Sequence, residues 1–170
     1  MDLFIIRHAW AGHYGDPQWP DDSKRPLTEE GRQRFAAMVT ILTDRGFAPE
    51  VVATSPMTRC RQTAEIVAEK CPGDPEIVEL DELLPGGDLE SLLQWTRQRA
   101  QQQKQIAWCG HAPDVGRLLG GVIAETHCWV RFAKGAIARI RFPGPPYPGE
   151  GELRWMVTAK LLGCEAPAEL

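Results

Sequence analysis

The chain has 170 residues, with 19 Lys plus Arg against 23 Asp plus Glu, so its formal net charge is −4 when its four histidines are neutral. A hydrophobic content of 43% beside 25% charged residues is typical of a globular domain and argues against a disordered chain. The mild acidity argues against a nucleic-acid partner, because phosphate backbones favour a basic surface. We therefore expect a single domain over residues 1–170.

The cysteines and the apolar segments indicate the cellular compartment. The five cysteines include no CxxC pair, so we interpret them as buried thiols rather than as a disulfide framework or a zinc site. The apolar stretch at the N-terminus is too short for a signal peptide, and no run approaches the ~18 apolar residues of a membrane span. These features predict a cytoplasmic protein with no membrane partner.

A long loop separates the first strand from the first helix. A continuous apolar run over residues 3–6 predicts a strand that is covered on both faces and is followed by Arg7. After a loop punctuated by Gly and Pro, Thr28 is expected to cap a helix that stops near Gly46. The apolar face of this helix comprises Phe35, Met38, Val39 and Leu42.

The alternation of strand and helix then recurs three times. Ser55 is expected to cap the second helix, with Pro56 at its first position, and residues 86–88 are expected to form the turn and the cap, ending in Asp88, that begin the third. The strands that precede these helices are predicted over residues 51–53, 76–80 and 106–109. The inward faces of the second, third and fourth helices comprise Ala64, Val67, Ala68 and Cys71, then Leu89, Leu92, Leu93 and Thr96, then Val115, Leu118, Leu119 and Val122.

The last third of the chain is predicted to be rich in strands. They are expected over residues 130–132, 136–142 and 152–158, with a mobile hairpin connection over 143–151 and a frayed tail after 163. Together the elements predict an α/β fold of three layers, in which a mostly parallel sheet carries helices on both faces. The strands of the last third leave room for an antiparallel edge strand.

Polar side chains follow three of the predicted strands. Arg7 and His8 end the first strand, the segment after the second leads to Arg59, and the fourth stops at His111. Because ligands of open α/β sheets bind beyond the carboxyl ends of the strands, we expect these side chains to meet at one edge. Arginine forks match phosphate oxygens, so the sequence predicts a cationic pocket for a phosphate group.

Four segments in this order resemble the histidine phosphatase superfamily, which has the phosphoglycerate mutase-like fold. They are Arg7-His8-Ala9, Arg25-Pro26-Leu27-Thr28, Ser55-Pro56-Met57-Thr58-Arg59 and Gly110-His111. The small size, the Arg-Pro-Leu-Thr segment and residues 83–88 make the chain most similar to the SixA-type phosphohistidine phosphatases, over about residues 2–160. One departure is Ala9, where the family usually has Gly, and we expect Ala to be tolerated there.

The resemblance implies a role for each matching residue. His8 would be the nucleophile that becomes transiently phosphorylated, while the phosphoryl oxygens are held by Arg7, Arg59 and His111. Arg25 would be a further phosphate ligand. The attacking imidazole must be neutral, whereas the second histidine would act as an imidazolium, and the charges then stabilise the transferring group without a metal or other cofactor.

The proton donor for the leaving group is less sharply marked in the sequence. Asp81 and Glu82 precede the turn where related enzymes carry an acid, and we predict that Glu82 has this role. A phosphorylated imidazole that is protonated on its far nitrogen departs as a neutral group, whereas a serine alkoxide needs far more help. A strong phosphate clamp beside a weakly defined acid therefore favours a phosphoramidate substrate.

We predict a phosphohistidine phosphatase that acts on a phosphorylated protein. Helices and connections fill the intervals between the motifs and leave no room for a capping insertion, so the site should be open to a side chain on another protein. The rim of the site is expected to include Trp10, His13, Tyr14 and Trp19.

Two alternatives stay open. Within the enzymes, the chain could be a broad-specificity phosphatase for small phosphate or pyrophosphate compounds. From a different class, it could be a module that binds phosphoproteins without turning them over, with Ala9 disturbing the catalytic turn. His13 and His127 match no motif, and the sequence leaves the oligomeric state and the identity of the partner open.

Overall fold

The centre of the protein is a mixed β-sheet. In the computed structural model, which describes residues 1–124, 128 and 130–164, its six strands are β1 (Asp2–Arg7), β2 (Val51–Thr54), β3 (Glu76–Glu79), β4 (Gln105–Gly110), β5 (Ile137–Arg141) and β6 (Glu152–Val157). Their order is β3-β2-β4-β1-β5-β6. The first four of that order are parallel to one another, and β5 and β6 are each antiparallel to the strand before them. The predicted mostly parallel sheet with an antiparallel edge is confirmed.

Two pairs of helices cover the two faces of the sheet. Helices α1 (Glu29–Thr43) and α2 (Thr58–Lys70) pack against one face, and α3 (Leu89–Arg99) and α4 (Asp114–Ile123) pack against the other. Each pair contributes its predicted apolar stripe to a separate hydrophobic core, except that Ala68 of α2 is half-buried and lies outside the core. The three-layer α/β fold is therefore confirmed.

The sheet is apolar on both sides because successive side chains of a strand point to opposite faces. In β1, Phe4 and Ile6 pack in the core beneath α1 and α2. Leu3 and Ile5 pack in the core beneath α3 and α4, and all four side chains are almost fully buried. Burial on both faces explains why this strand is a continuous apolar run.

The N-termini of α1 and α3 are capped as the sequence predicts. Thr28 Oγ1 accepts a hydrogen bond from the Gly31 N–H at 3.0 Å. An Asp88 carboxylate oxygen accepts one from the Ser91 N–H at 2.8 Å. Each side chain satisfies a helix donor that would otherwise lack a partner.

The predicted cap of α2 is wrong. Met57 occupies the N-cap position and the helix begins at Thr58, so Pro56 lies before the helix and Ser55 is one residue further back. The Ser55 hydroxyl lies 2.9 Å from Nε2 of His111, and only a long contact of 3.4 Å joins it to the Met57 N–H. The hydroxyl that the local pattern assigns to the helix thus binds a residue distant in sequence.

The segment over residues 130–132 is not a strand, contrary to the sequence prediction. The carbonyl of Phe132 accepts a hydrogen bond from Arg7 Nη1 at 2.8 Å, so its partner is a side chain rather than a neighbouring strand. Phe132 is 2% exposed and packs in the core, which accounts for the apolar pattern. Short apolar runs do not distinguish a strand from a buried connection.

The β5–β6 connection and the end of the described chain are both attached to neighbouring helices. The Gly151 N–H donates to the Val122 carbonyl of α4 at 2.8 Å. Cys164 is 7% exposed, and Arg34 Nε of α1 donates to its carbonyl at 2.6 Å. The rest of the frayed tail predicted after residue 163 lies outside the described residues, as does His127.

The cysteines agree with the prediction of buried thiols. Cys128 is half-buried, and the four that are free and buried are Cys60, Cys71, Cys109 and Cys164. Within the part of the chain that the structure describes, no helix is both long and apolar enough to cross a membrane.

Candidate active site

The carboxyl ends of three adjacent strands bring the predicted residues together. β4 lies between β1 and β2, so the residues that follow these strands meet at one edge of the sheet. A pocket of about 580 Å³ opens there. Its lining includes five of the six proposed site residues, namely Arg7, His8, Arg25, Arg59 and His111.

The backbone holds His8 in one orientation. Its Nδ1 lies 2.7 Å from the carbonyl oxygen of Ala9, and because a carbonyl only accepts, Nδ1 carries the proton. The lone pair of the neutral ring is therefore on Nε2. The His8 N–H donates to the Gly110 carbonyl at 3.0 Å, which continues the β1–β4 ladder by one residue. Nε2 is the ring atom available for nucleophilic attack.

Burial keeps the His8 imidazole neutral. The residue is only 7% exposed. Desolvation is the largest cause that lowers the pKa of His8 from 6.5 to about 3. The hydrogen bond to Ala9 opposes this shift, and the positive charges of His111 and two arginines add to it. A neutral imidazole is the form that a nucleophilic histidine requires.

His111 faces His8, with the two ring centroids 5.4 Å apart. Nε2 of His111 lies 2.9 Å from Ser55 Oγ and 3.4 Å from Cys60 Sγ. All three side chains are buried, so the ring is fixed by contacts from the end of β2 and from α2. Cys60 Sγ also lies 3.8 Å from Nδ1 of His111, so the thiol lies against both ring nitrogens.

Cys60 places a thiol against the His111 ring. Burial opposes ionisation of this thiol, but hydrogen bonds with Cys109 and His111 outweigh it and lower the pKa of Cys60 to about 6. Burial raises the pKa of the neighbouring Cys109 thiol well above its usual value. The surroundings of Cys60 therefore stabilise a negative charge, and a phosphoryl group is also negatively charged.

Two arginines of the pocket share one carboxylate. Asp22 forms ion pairs with Arg25 Nε at 2.7 Å and with Arg59 Nη1 at 3.2 Å. The hydrogen bond from Arg25 is the largest cause that holds the pKa of Asp22 below its usual range. Arg25 Nη1 also donates to the Gly12 carbonyl at 2.6 Å, and Arg59 Nη1 to the Asp22 carbonyl at 2.8 Å. Both guanidinium groups are thereby fixed at the pocket wall.

Arg7 is anchored differently, through the backbone. Its Nη1 donates to the Phe132 carbonyl at 2.8 Å. Its buried Nε has no hydrogen-bond partner among the described residues, and the same is true of Arg59 Nε. Unpartnered buried donors are uncommon in folded proteins. These arginines therefore retain capacity to bind a tetrahedral anion such as a phosphoryl group.

Glu82 stands apart from the other proposed residues. It is half-buried in a 3₁₀ helix, Asp81–Leu83, and it does not line the pocket. From this part of the chain the pocket wall receives Pro85 instead. The assignment of Glu82 as the proton donor remains a prediction.

Ala9 has a backbone conformation that residues other than glycine readily adopt. Among the described residues Asp74 is the only one other than glycine with a positive φ, so Ala9 lies outside the region that favours glycine. The Ala9 N–H donates to Thr63 Oγ1 of α2 at 3.0 Å, and the side chain is fully buried. The local backbone of the site thus accommodates alanine without strain.

The aromatic rim differs partly from the sequence prediction. His13 and Tyr14 line the pocket, and Tyr14 is 82% exposed. Trp19 borders a smaller neighbouring cavity of about 250 Å³. Trp10 does not line the pocket: it packs against the core under Arg34, whose guanidinium lies 4.3 Å from the ring centroid.

Two contributors to the site lie outside the motifs. Asp22 lies in an acidic cluster that the sequence presents as loop, and Lys134 belongs to no motif. Ser55 is part of the third motif, but its contact with His111 was not predicted. Charge complementarity of Asp22 with nearby arginines is the one signal that could have marked it. Among the described residues, no group of three or more His, Cys, Asp or Glu side chains is placed to hold a metal ion.

The family of the protein follows from comparison with known sequences. The model of the histidine phosphatase superfamily (branch 1) matches residues 3–127, and the chain belongs to this superfamily. The resemblance drawn from the four motifs is therefore confirmed.

Relatives and solved structures place the chain among SixA-like members. It is 36% identical over 143 residues to an uncharacterized protein of Picosynechococcus sp., covering 83% of this chain and 85% of that protein. It is 29% identical over 161 residues to the phosphohistidine phosphatase SixA of Escherichia coli, covering 93% of this chain and 94% of that one. A structure of the protein histidine phosphatase SixA complexed with tungstate matches with a TM-score of 0.83 at 26% identity, covering 95% of this chain and 99% of that chain.

Proposed function

We propose that the protein is a phosphohistidine phosphatase that removes the phosphoryl group from a phosphorylated protein through a phosphoenzyme on His8. The observation that carries the proposal is the neutral, oriented imidazole of His8 in a pocket lined by Arg7, Arg59 and His111. The likeness to a SixA that is named a phosphohistidine phosphatase, and to a SixA structure that holds tungstate, supports the same substrate class.

In the first step, Nε2 of His8 attacks phosphorus and the P–N bond to the substrate imidazole breaks. The electron pair of that bond stays on the substrate nitrogen, and a far nitrogen that already carries a proton lets the group leave as neutral imidazole. Arg7 and Arg59 donate to the phosphoryl oxygens and stabilise the negative charge that is spread over them in the transition state. His111, which lines the same pocket, supplies a further N–H donor to these oxygens.

In the second step, water attacks the phosphorus of the phosphoenzyme and the bond to His8 Nε2 breaks. The electron pair returns to Nε2, and the products are inorganic phosphate and neutral His8. A base accepts the proton of the attacking water, and Glu82 is the group proposed for this role. In the first step Glu82 is the proposed proton donor for a leaving group whose far nitrogen carries no proton. Glu82 lies in the 3₁₀ helix that precedes Pro85 of the pocket wall.

The substrate class follows from access to the pocket. The described residues around its mouth are exposed loop side chains such as Tyr14 and Lys134 rather than a covering domain. An entrance of this kind admits a side chain that is presented by another protein. The partner proposed here is therefore a phosphohistidine-carrying protein, with no nucleic acid involved.

The test uses a protein labelled with ³²P on histidine and compares the wild type with His8→Ala and His111→Ala. The wild type should release phosphate and, after rapid acid-free quenching, carry base-stable, acid-labile label. His8→Ala should neither release phosphate nor carry label, whereas His111→Ala should react more slowly and still become labelled. Full turnover by His8→Ala would exclude His8 as the nucleophile.

The same assay addresses the two alternatives. A binding module would hold the labelled protein without releasing phosphate. A broad-specificity phosphatase would give values of kcat/KM for sugar phosphates or pyrophosphate compounds equal to or above those for phosphohistidine protein. Either result would replace the proposed function.

A further inference from the structure

A second pocket of about 420 Å³ adjoins the phosphate pocket. The two cavities share Arg7 and Ala112, so they meet at the side of the catalytic centre. The phosphoryl-transfer steps above do not use this second pocket. The rest of its lining is Pro113, Val130, Arg131 and Phe132.

The segment that forms the wall of the second pocket is tied to the catalytic residues. The Arg7 N–H donates to the Ala136 carbonyl at 3.1 Å, and the Gly135 N–H donates to the His8 carbonyl at 3.1 Å. Arg7 Nη1 holds the Phe132 carbonyl at 2.8 Å. Because of these three hydrogen bonds, the segment keeps a fixed distance from the nucleophile.

Gly135 makes this attachment possible. Its φ of +68° is a conformation that side chains rarely adopt, and a Cβ there would lie 2.9 Å from the Trp10 ring. The turn before it exposes Lys134 at the mouth of the phosphate pocket, while Arg131 is exposed at the second pocket. The side chains of Lys134 and Arg131 therefore line different cavities.

The second pocket has a positive charge that the described residues do not neutralise. Burial, and then the charge of Arg131, lower the pKa of Arg7, so the two guanidinium groups lie near enough to repel each other. None of the salt bridges between described residues involves either arginine. Neighbouring guanidinium groups without a carboxylate favour a bound anion.

We propose that the second pocket is a subsite for an acidic side chain that the protein substrate carries close to its phosphohistidine. This inference rests on the proposed function, because the phosphoryl group must occupy the first pocket. Arg131 would bind the carboxylate, and the apolar walls of Pro113 and Val130 would pack against the methylene groups of a Glu or Asp. Arg131 is thus a specificity-determining residue.

The experiment compares phosphohistidine peptides of one sequence that carry Glu, Gln or Lys on both sides of the phosphohistidine. For the wild type we expect kcat/KM to be about tenfold higher for the Glu peptide than for the Gln peptide, which corresponds to about 1.4 kcal/mol. Arg131→Gln should bring this ratio close to one. Arg131→Glu should invert the preference toward the Lys peptide.

Two control variants separate the subsite from other effects of charge. Arg154→Ala removes an exposed arginine of β6 and should keep the wild-type ratio. Lys134→Ala, at the phosphate pocket, should lower kcat/KM for all peptides alike and leave the ratio unchanged. A small phosphorylated carboxylic acid is assayed as a further substrate. It tests whether the second pocket binds the carboxylate of a small molecule rather than that of a peptide side chain.

The outcomes are distinct for the two proposals. Hydrolysis of all three peptides at equal kcat/KM by the wild type would refute the subsite and leave the proposed function intact. A Glu preference that persists in Arg131→Glu, or a preference for the small acid without one among the peptides, would also refute the subsite. No hydrolysis of any peptide would overturn the proposed function and the subsite with it.

Discussion

The pocket has two walls of different construction. One wall is formed by residues that follow parallel strands or begin the helix after them, and His8, Arg59 and His111 on it are 7%, 5% and 4% exposed. The other wall is formed by loop residues, and on it Tyr14 is 82% exposed. The first wall is part of the folded core, whereas the second faces solvent.

Under the proposed function, the first wall would carry out the chemistry and the second would recognise the substrate protein. Low exposure shifts the pKa of His8 and strengthens each electrostatic contact to a phosphoryl group. Exposed loop side chains, such as Tyr14 and Lys134, are accessible to a protein partner but contribute little to the stability of the fold. Substitutions on the two walls should therefore have different effects.

The largest effect is expected for Arg59→Ala on the buried wall. This change removes a guanidinium that is fixed by Asp22 and has a free buried donor. We expect kcat/KM for phosphohistidine protein to fall by about 10²–10³, as for loss of one transition-state donor.

The matched control for that variant is Arg61→Ala. Arg61 lies on the same helix, two residues further on, but its side chain is exposed and pairs with Glu65 and Glu79. Its kcat/KM should stay within about twofold of the wild type, since surface ion pairs contribute little. Equal losses in the two variants would show that the helix, rather than the pocket, was disturbed.

An intermediate effect is expected in the dependence of stability on pH. The pKa of His8 is about 3 in the folded protein and near 6.5 when unfolded, so below pH 6.5 the unfolded state binds a proton that the folded state does not. Stability therefore falls as the pH drops from 6.5 toward 3. Between pH 6.5 and about pH 4.5 the wild type should lose about 2 kcal/mol more free energy of unfolding than His8→Asn.

Urea denaturation of both proteins at the two pH values measures this difference. Ionisable groups distant from His8 are common to both proteins, so their contributions cancel in the comparison. If the wild type and His8→Asn lost the same free energy over this range, the buried neutral state of His8 would be wrong.

The smallest effect is expected for Tyr14→Ala on the exposed wall. Removing an exposed ring should change the free energy of unfolding by less than about 0.5 kcal/mol. Against a phosphohistidine protein, kcat/KM should fall about threefold further than against free phosphohistidine, because only a protein reaches the rim. Thermal unfolding and the two kinetic assays test this, and identical ratios for both substrates would remove Tyr14 from the recognition surface.

The local pattern of apolar and capping residues in the sequence was sufficient to predict most of the fold. Each predicted strand other than 130–132 matches an observed one to within a single residue at either end. The caps at Thr28 and Asp88 were predictable because the accepting side-chain oxygen and the donating backbone N–H lie within one helical turn. The failures at Ser55 and at residues 130–132 share one cause: their hydrogen-bond partners, His111 and Arg7, are distant in sequence.

The sequence by itself determined the three-layer architecture and the set of residues at the strand ends, because apolar periodicity and strand order act over short distances. Only the tertiary structure decided that Asp22 would fix two arginines, that Ser55 would hold His111, and that Arg131 would flank a second pocket. Those features depend on loop residues, and a loop has no periodic apolar pattern from which its path could be predicted. They exist because packing of the core brings the loops together, and this packing depends on the whole chain.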